Sequence, residues 1–151
     1  MINDPREPAD RRPRTETAGA GPATIDIPQA TDSVLIDLIS QGSVPAFVAL
    51  FDRTSEAVHT ELTVELTGTS RTGEIFAASY AEVWWLAGHH RTLEADAIGW
   101  IISIVRRRIA EASRETVRPG ARTVLEGLRP SYAELEVAAL LNRPVDCLRQ
   151  P

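Results

Sequence analysis

Between Gly73 and Arg114 the chain carries two runs in which apolar residues recur every three or four positions. Phe76, Tyr80, Val83 and Ala87 make one helical stripe, and Ala97, Ile101, Ile104, Val105, Ile109 and Ala112 make another. The loop between them reads GHHRTLE, and Arg106–Arg107–Arg108 breaks out of the second run. The same period extends upstream. Val34, Leu35, Leu38 and Ile39 predict a helix from about Asp32 to Gln41, capped by Thr31 or Asp32 and closed by Gly42. Phe47, Leu50, Phe51, Val58, Leu62 and Leu66 predict a second helix, with Ser43 as its cap and Pro45 in its first turn. Thr60, Thr63 and Val64 weaken its end, so fraying is expected around Thr63–Thr67.

After a turn at 67–72, the third helix is predicted from Thr72 or Gly73 to about Ala87. The fourth is predicted from about Glu94 to Thr116, stopped by Pro119–Gly120. Past a linker at 117–130, Ser131 caps a last segment with apolar Leu135, Val137, Ala138 and Leu141, and a short helical stub can follow from Val145. No strand pattern and no internal repeat stands out. The expected fold is all-α: a bundle of four helices over 32–116, a disordered N-terminal arm over 1–31, and a short C-terminal helical remnant over 131–151. The arm holds five prolines and almost no periodicity, and five acids offset its arginines at 6, 11, 12 and 14.

Charge changes this picture by its distribution. The 151 residues carry a net charge of −5, and every basic residue is arginine. Residues 32–94 hold nine acids and three arginines, whereas residues 95–118 hold five arginines and three acids. An acidic body thus carries a mildly basic helix, a surface that suits nucleic acid or a charged protein partner better than catalysis. No nucleophile–base pair, glycine-rich phosphate loop or carboxylate constellation is present, so no enzyme and no cofactor are expected. His89 and His90 lack a Cys or acid at ligand spacing, and no metal is expected. Cys147 has no second cysteine to pair with. No stretch approaches a membrane span, no signal peptide stands at the N-terminus, and a soluble cytoplasmic protein is expected. Trp84 and Trp100 are expected in the core. Trp85, next to Trp84, must point elsewhere and is expected at the surface or an interface. His59 is expected at the surface, partly exposed.

The order of these elements resembles region 2 of the sigma-70 family, in its small extracytoplasmic-function form. "LIDLISQGSVPAFVALFDRTSEAVH" is similar to the family's opening, "EIFAASYAEVWW" to its acidic–apolar–apolar–Gln–Glu run ending in tryptophan, and "AIGWIISIVRRRIAEASR" to its tryptophan-led basic helix. Trp100, Ile104, Arg106, Arg108, Glu111 and Arg114 fall on matching positions of the last. The likeness covers Ser33 to Arg114. Further on, "EVAALLNRPVDCLRQ" resembles a region 4 helix-turn-helix without the helices that precede it, and its second helix stops at Pro151.

The resemblance implies two partners. One is the RNA polymerase core, whose clamp would meet the third helix at Glu74, Ala77, Ala78, Glu82 and Trp85. The other is promoter DNA, with the single-stranded minus-ten element gripped by His89, His90 and Arg91 of the loop and by Arg106, Arg107 and Arg114 of the helix after it. Single-strand binders combine basic groups along the backbone with pockets for a flipped base, and this set has that character. Arg108 falls on the apolar side of its helix and is expected to be structural. The whole basic row also has a plain solvated reading, paired with Glu111 and Glu115 at helical spacing. The chain departs from the family at Ala77–Ala78, which stand where the Gln–Glu pair belongs, and the clipped C-terminus implies loss of the minus-thirty-five reader. The arginine helix favours a sigma-like factor. The departures favour a degenerate sigma-like module that binds an anti-sigma-like regulator without directing transcription.

Overall fold

A computed structural model describes residues 25–66, 71–89, 96–116 and 129–149, with side chains described up to Arg114 in the third of these stretches. The described residues are all-α, without a strand. The helices are α1 (Asp32–Ser40), α2 (Val44–Glu65), α3 (Thr72–Leu86), α4 (Ala97–Thr116) and α5 (Tyr132–Leu141), with single 3-10 turns at Ile27–Gln29, Ala87–His89 and Val145–Leu148.

The ends follow the local chemistry of the sequence. Thr31 and Ser43 accept from the Val34 and Ala46 amides and cap α1 and α2. Gly42 takes φ +86°, and the Gly42 and Ser43 amides donate back to Ile39 and Leu38, closing α1 in a Schellman turn. Asn142 does the same for α5 at φ +51°, a conformation that asparagine tolerates better than most residues. The α4 helix starts at Ala97, three residues later than the expected Glu94, because Asp96 Oδ1 accepts from the Ile98 amide as a cap does. Helix α2 stays helical through Glu65, and residues 67–70 lie outside the described residues.

The core is an aromatic stack between α2 and α3, sealed by α1, α4 and α5. Phe51 lies 4.6 Å from Tyr80 and 5.7 Å from Phe76, ring centre to centre, and Phe47 meets Trp84 edge-on at 5.5 Å. Ile101, Ile104 and Val105 of α4 close one side, and Leu35, Ile36 and Ile39 of α1 another. Trp84 and Trp100, expected in the core, are only half-buried at its rim, whereas Trp85 is 66% exposed, as expected. His59 is half-buried and stacks on Phe76 at 4.0 Å, and burial pushes its pKa down.

One polar pair is buried in this stack. Thr54 Oγ1 donates to the Leu50 carbonyl at 2.8 Å, so the Tyr80 hydroxyl, also 2.8 Å away, donates to Thr54. Burial pushes the Tyr80 hydroxyl pKa far up. The pair is asymmetric. Tyr80→Phe removes one bond and leaves Thr54 satisfied, a loss of about 1 kcal/mol, whereas Thr54→Val strands a buried hydroxyl and should cost about 1–3 kcal/mol. Thermal melts should therefore place Thr54→Val below Tyr80→Phe; the opposite order would refute this donor assignment.

Two expectations change. The expected arm reaches residue 31, yet residues 27–30 are held: Arg53 donates to the carbonyls of Pro28 and Ala30 at 2.8 and 2.7 Å and pairs with Asp32 at 2.8 Å. Residues 1–24, the rest of that arm, and residues 117–128 of the expected linker lie outside the described residues. The second change is larger. The C-terminal segment shares the core of the bundle: α5 packs along α3 and also touches α2, and Val137, Ala138, Leu141 and Leu148 are buried. Its capping box is built into the interior. Ser131 and Glu134 exchange hydrogen bonds, and the carboxylate of Glu134, 3% exposed, also takes two from Arg149 at 2.7 and 3.2 Å. Burial alone would raise the Glu134 pKa; the bonds from Arg149 and Ser131 outweigh it, and the net shift is downward.

Candidate partner and nucleic-acid interfaces

The residues singled out in α3 do not form one open face. Ala77, expected in the docking set, is fully buried and offers a partner no surface while its neighbours stay packed on it. It belongs with Gly73 and Ala81 to a row of small residues at i, i+4 and i+8, which Trp85 extends. At one end of the row a Cβ on Gly73 would come within 3.1 Å of Arg149 Cγ and 3.4 Å of the Leu148 carbonyl. At the other, the Trp85 indole N–H donates to Glu136 Oε1 of α5 at 3.1 Å. Ala78 is half-buried beside the row. Glu74 sits one turn above it, with the Arg71 guanidinium 3.7 Å from its carboxylate.

Glu82 faces the other way, toward α4. Its carboxylate side chain is 11% exposed and holds two cations: Arg107 through Nη2, and Arg108 through Nε at 2.9 Å. Arg106 is held by Glu61 of α2 at 2.6 Å. Arg108, the arginine expected to be structural, is half-buried between Glu82 and the more distant Glu111, 4.0 Å away. The triple arginine is therefore a set of interhelical ties from α4 to α2 and α3 as well as a basic row. Arg106 and Arg107 remain 68% and 54% exposed, so both stay within reach of an external anion. Arg114 is exposed at the far end of α4 and makes no ion pair among the described residues. His89 is exposed at the end of the 3-10 turn after α3, and His90 and Arg91 lie outside the described residues.

Sequence reasoning missed Glu61 as a site residue and paired the arginines with local partners. Both glutamates reach them from other helices, 45 and 26 residues away, which no helical spacing reveals. A signal for the covered seam was nonetheless present. The α3 helix reads apolar nearly all round, and a helix of that kind is enclosed on several sides.

These features define, among the described residues, an all-α bundle with a partly neutralised basic row on α4. The chain is similar to two curated sequences named ECF RNA polymerase sigma factor SigK, from Mycobacterium sp. strain KMS and strain JLS, at 27% identity over 126 residues in each case. The match covers 76% of this chain and 63% of those proteins, so the chain spans less than two thirds of their length. No protein-family model and no solved structure matches it. The similarity supports a distant relationship to extracytoplasmic-function sigma factors. No helix among the described residues is long and apolar enough to cross a membrane.

Proposed function

We propose that the protein is a sigma-factor-like transcription regulator that binds RNA polymerase core through the exposed part of α3 and touches the minus-ten strand through α4 and the loop before it. The observation that carries this reading is the pairing, in one bundle distantly similar to sigma factors, of α3 with a following helix whose Arg106, Arg107 and Arg114 all reach solvent. Glu74, Ala78 and Trp85 serve the first contact, whereas Glu82, turned toward α4 and engaged by Arg107 and Arg108, does not reach it. His89, His90 and Arg91 shape base preference, because loop residues can line a pocket for an unstacked base. A phosphate has to compete with Glu61 for Arg106 and with Glu82 for Arg107, so the DNA contact is weak in the isolated protein and strengthens only when polymerase presents the strand.

The test is binding of a labelled single-stranded oligonucleotide, at low salt and again with core polymerase present, together with pull-down of the core. Three arginine–phosphate contacts give a log–log salt slope of about −2, at about −0.7 per contact, and Arg107→Ala should flatten it by one contact without lowering the melting temperature much. Absence of core pull-down, with a slope indifferent to Arg107→Ala, would sink the reading. The arginine ties and the covered α3 row favour a second reading, an interaction module that captures an anti-sigma-like regulator. Retention of such a regulator without DNA or core binding would select it.

A further inference from the structure

The row Gly73, Ala77, Ala81 on α3 is a flat seam cut for close approach by another helix, and the C-terminal segment lies in it. Both ends of the row are fixed by contacts, Gly73 against Leu148 and Arg149, Trp85 against Glu136. A third contact, Arg143 with Asp52 at 2.8 Å, ties the same segment to α2. Two of these ties, Trp85–Glu136 and Arg143–Asp52, are solvent-exposed polar contacts, which water replaces at little cost. The helix itself has ten residues, too short to persist without the surface it rests on.

We infer that Ser131–Arg149 is a releasable strap that occupies the α3 seam in competition with the RNA polymerase core proposed to dock on that face. The inference rests on the proposed docking role of α3. Ala77 is fully buried in this row, so a side chain the size of glutamine there would displace whatever packs on it. A partner that lays a helix along α3 must take the same small-residue row, so its apparent affinity is reduced by the fraction of molecules in which the strap is down. Release also uncovers Val137, Ala138, Leu141 and Leu148, which leaves the freed strap able to rest on a partner in turn.

Two full-length variants test this from opposite sides. Gly73→Leu wedges the strap off at Leu148–Arg149, and the change from glycine strengthens α3 as a helix. Leu141→Ser weakens the strap's own apolar face. Hydrogen exchange of residues 131–149 is expected to accelerate about tenfold in both, with α2 and α4 still protected. Affinity for immobilised core RNA polymerase is expected to rise about fivefold. Acceleration only in step with α2 and α4 would overturn the strap, because the segment would then be an inseparable part of the bundle. Equal polymerase affinity for wild type and opened variants would overturn it alone and leave the docking role standing. If none of the three proteins binds polymerase while exchange shows the strap open, the docking role fails first and the strap's guarding role goes with it.

Discussion

Replacing Phe47 by alanine should cost about 3–5 kcal/mol, the usual penalty for emptying a fully buried aromatic site. Phe47 is 0% exposed and bridges two helices, with its ring 6.4 Å from Tyr80 and 5.5 Å from Trp84. Both partners meet it edge-on, so no neighbour can slide in to fill the void without giving up its own contact. Against a typical total stability of about 5–15 kcal/mol, such a loss leaves a substantial unfolded fraction near physiological temperature. A urea titration should show the midpoint falling sharply with an unchanged slope. The sequence alone would have chosen Trp100 for this experiment. Trp100 is half-buried at the rim of the core, so Trp100→Ala should be the milder lesion of the two. Equal midpoints for the two variants would contradict this ordering.

Glu82→Gln should act in two directions at once. The carboxylate is nearly buried and holds Arg107 and Arg108 together. Glutamine keeps the volume and one acceptor but removes the charge. Both arginines can turn outward, since they are 54% and 38% exposed, which keeps the stability loss to about 1–2 kcal/mol and below the figure for a sealed ion pair. The same change releases cations on the α4 face. Arg107 already counts among the three phosphate contacts, so single-strand DNA binding should strengthen and its salt slope should steepen by about 0.7 if the freed Arg108 finds a phosphate. Weaker binding by the variant would mean that Glu82 aims the arginines at DNA, and that the tie is part of the site.

The features legible in the sequence are those set by near neighbours. Gly42, Ser43 with Pro45, and Ser131 marked their helix ends because a cap is decided within four residues. The stripe from Ala97 to Ala112 faced the core as its period required, with Ile109 less deeply buried than the rest. What escaped notice lies between segments far apart in the chain. Arg53 gathers Pro28, Ala30 and Asp32 across more than twenty residues, and nothing local to Arg53 announces it. The likeness of the C-terminal segment to a DNA-reading helix also concealed its packing. Its second helix is a single 3-10 turn whose Leu148 is buried and whose neighbour Arg149 grips Glu134, so these residues bind the bundle's own interior. Of the loop residues expected at DNA, only His89 falls among the described residues.

The covered seam also has a consequence in time. From the residue after Thr116, where α4 ends, through Arg149, the last contact of the strap, the chain adds thirty-three residues. At about 5–20 residues per second, a ribosome needs about 2–7 s to add them. Through that interval the four preceding helices are already translated while the segment that packs along α3 is not. Each newborn chain thus passes through a stage in which this face is open to whatever waits at the exit tunnel, and the earliest partner to arrive meets no rival for it.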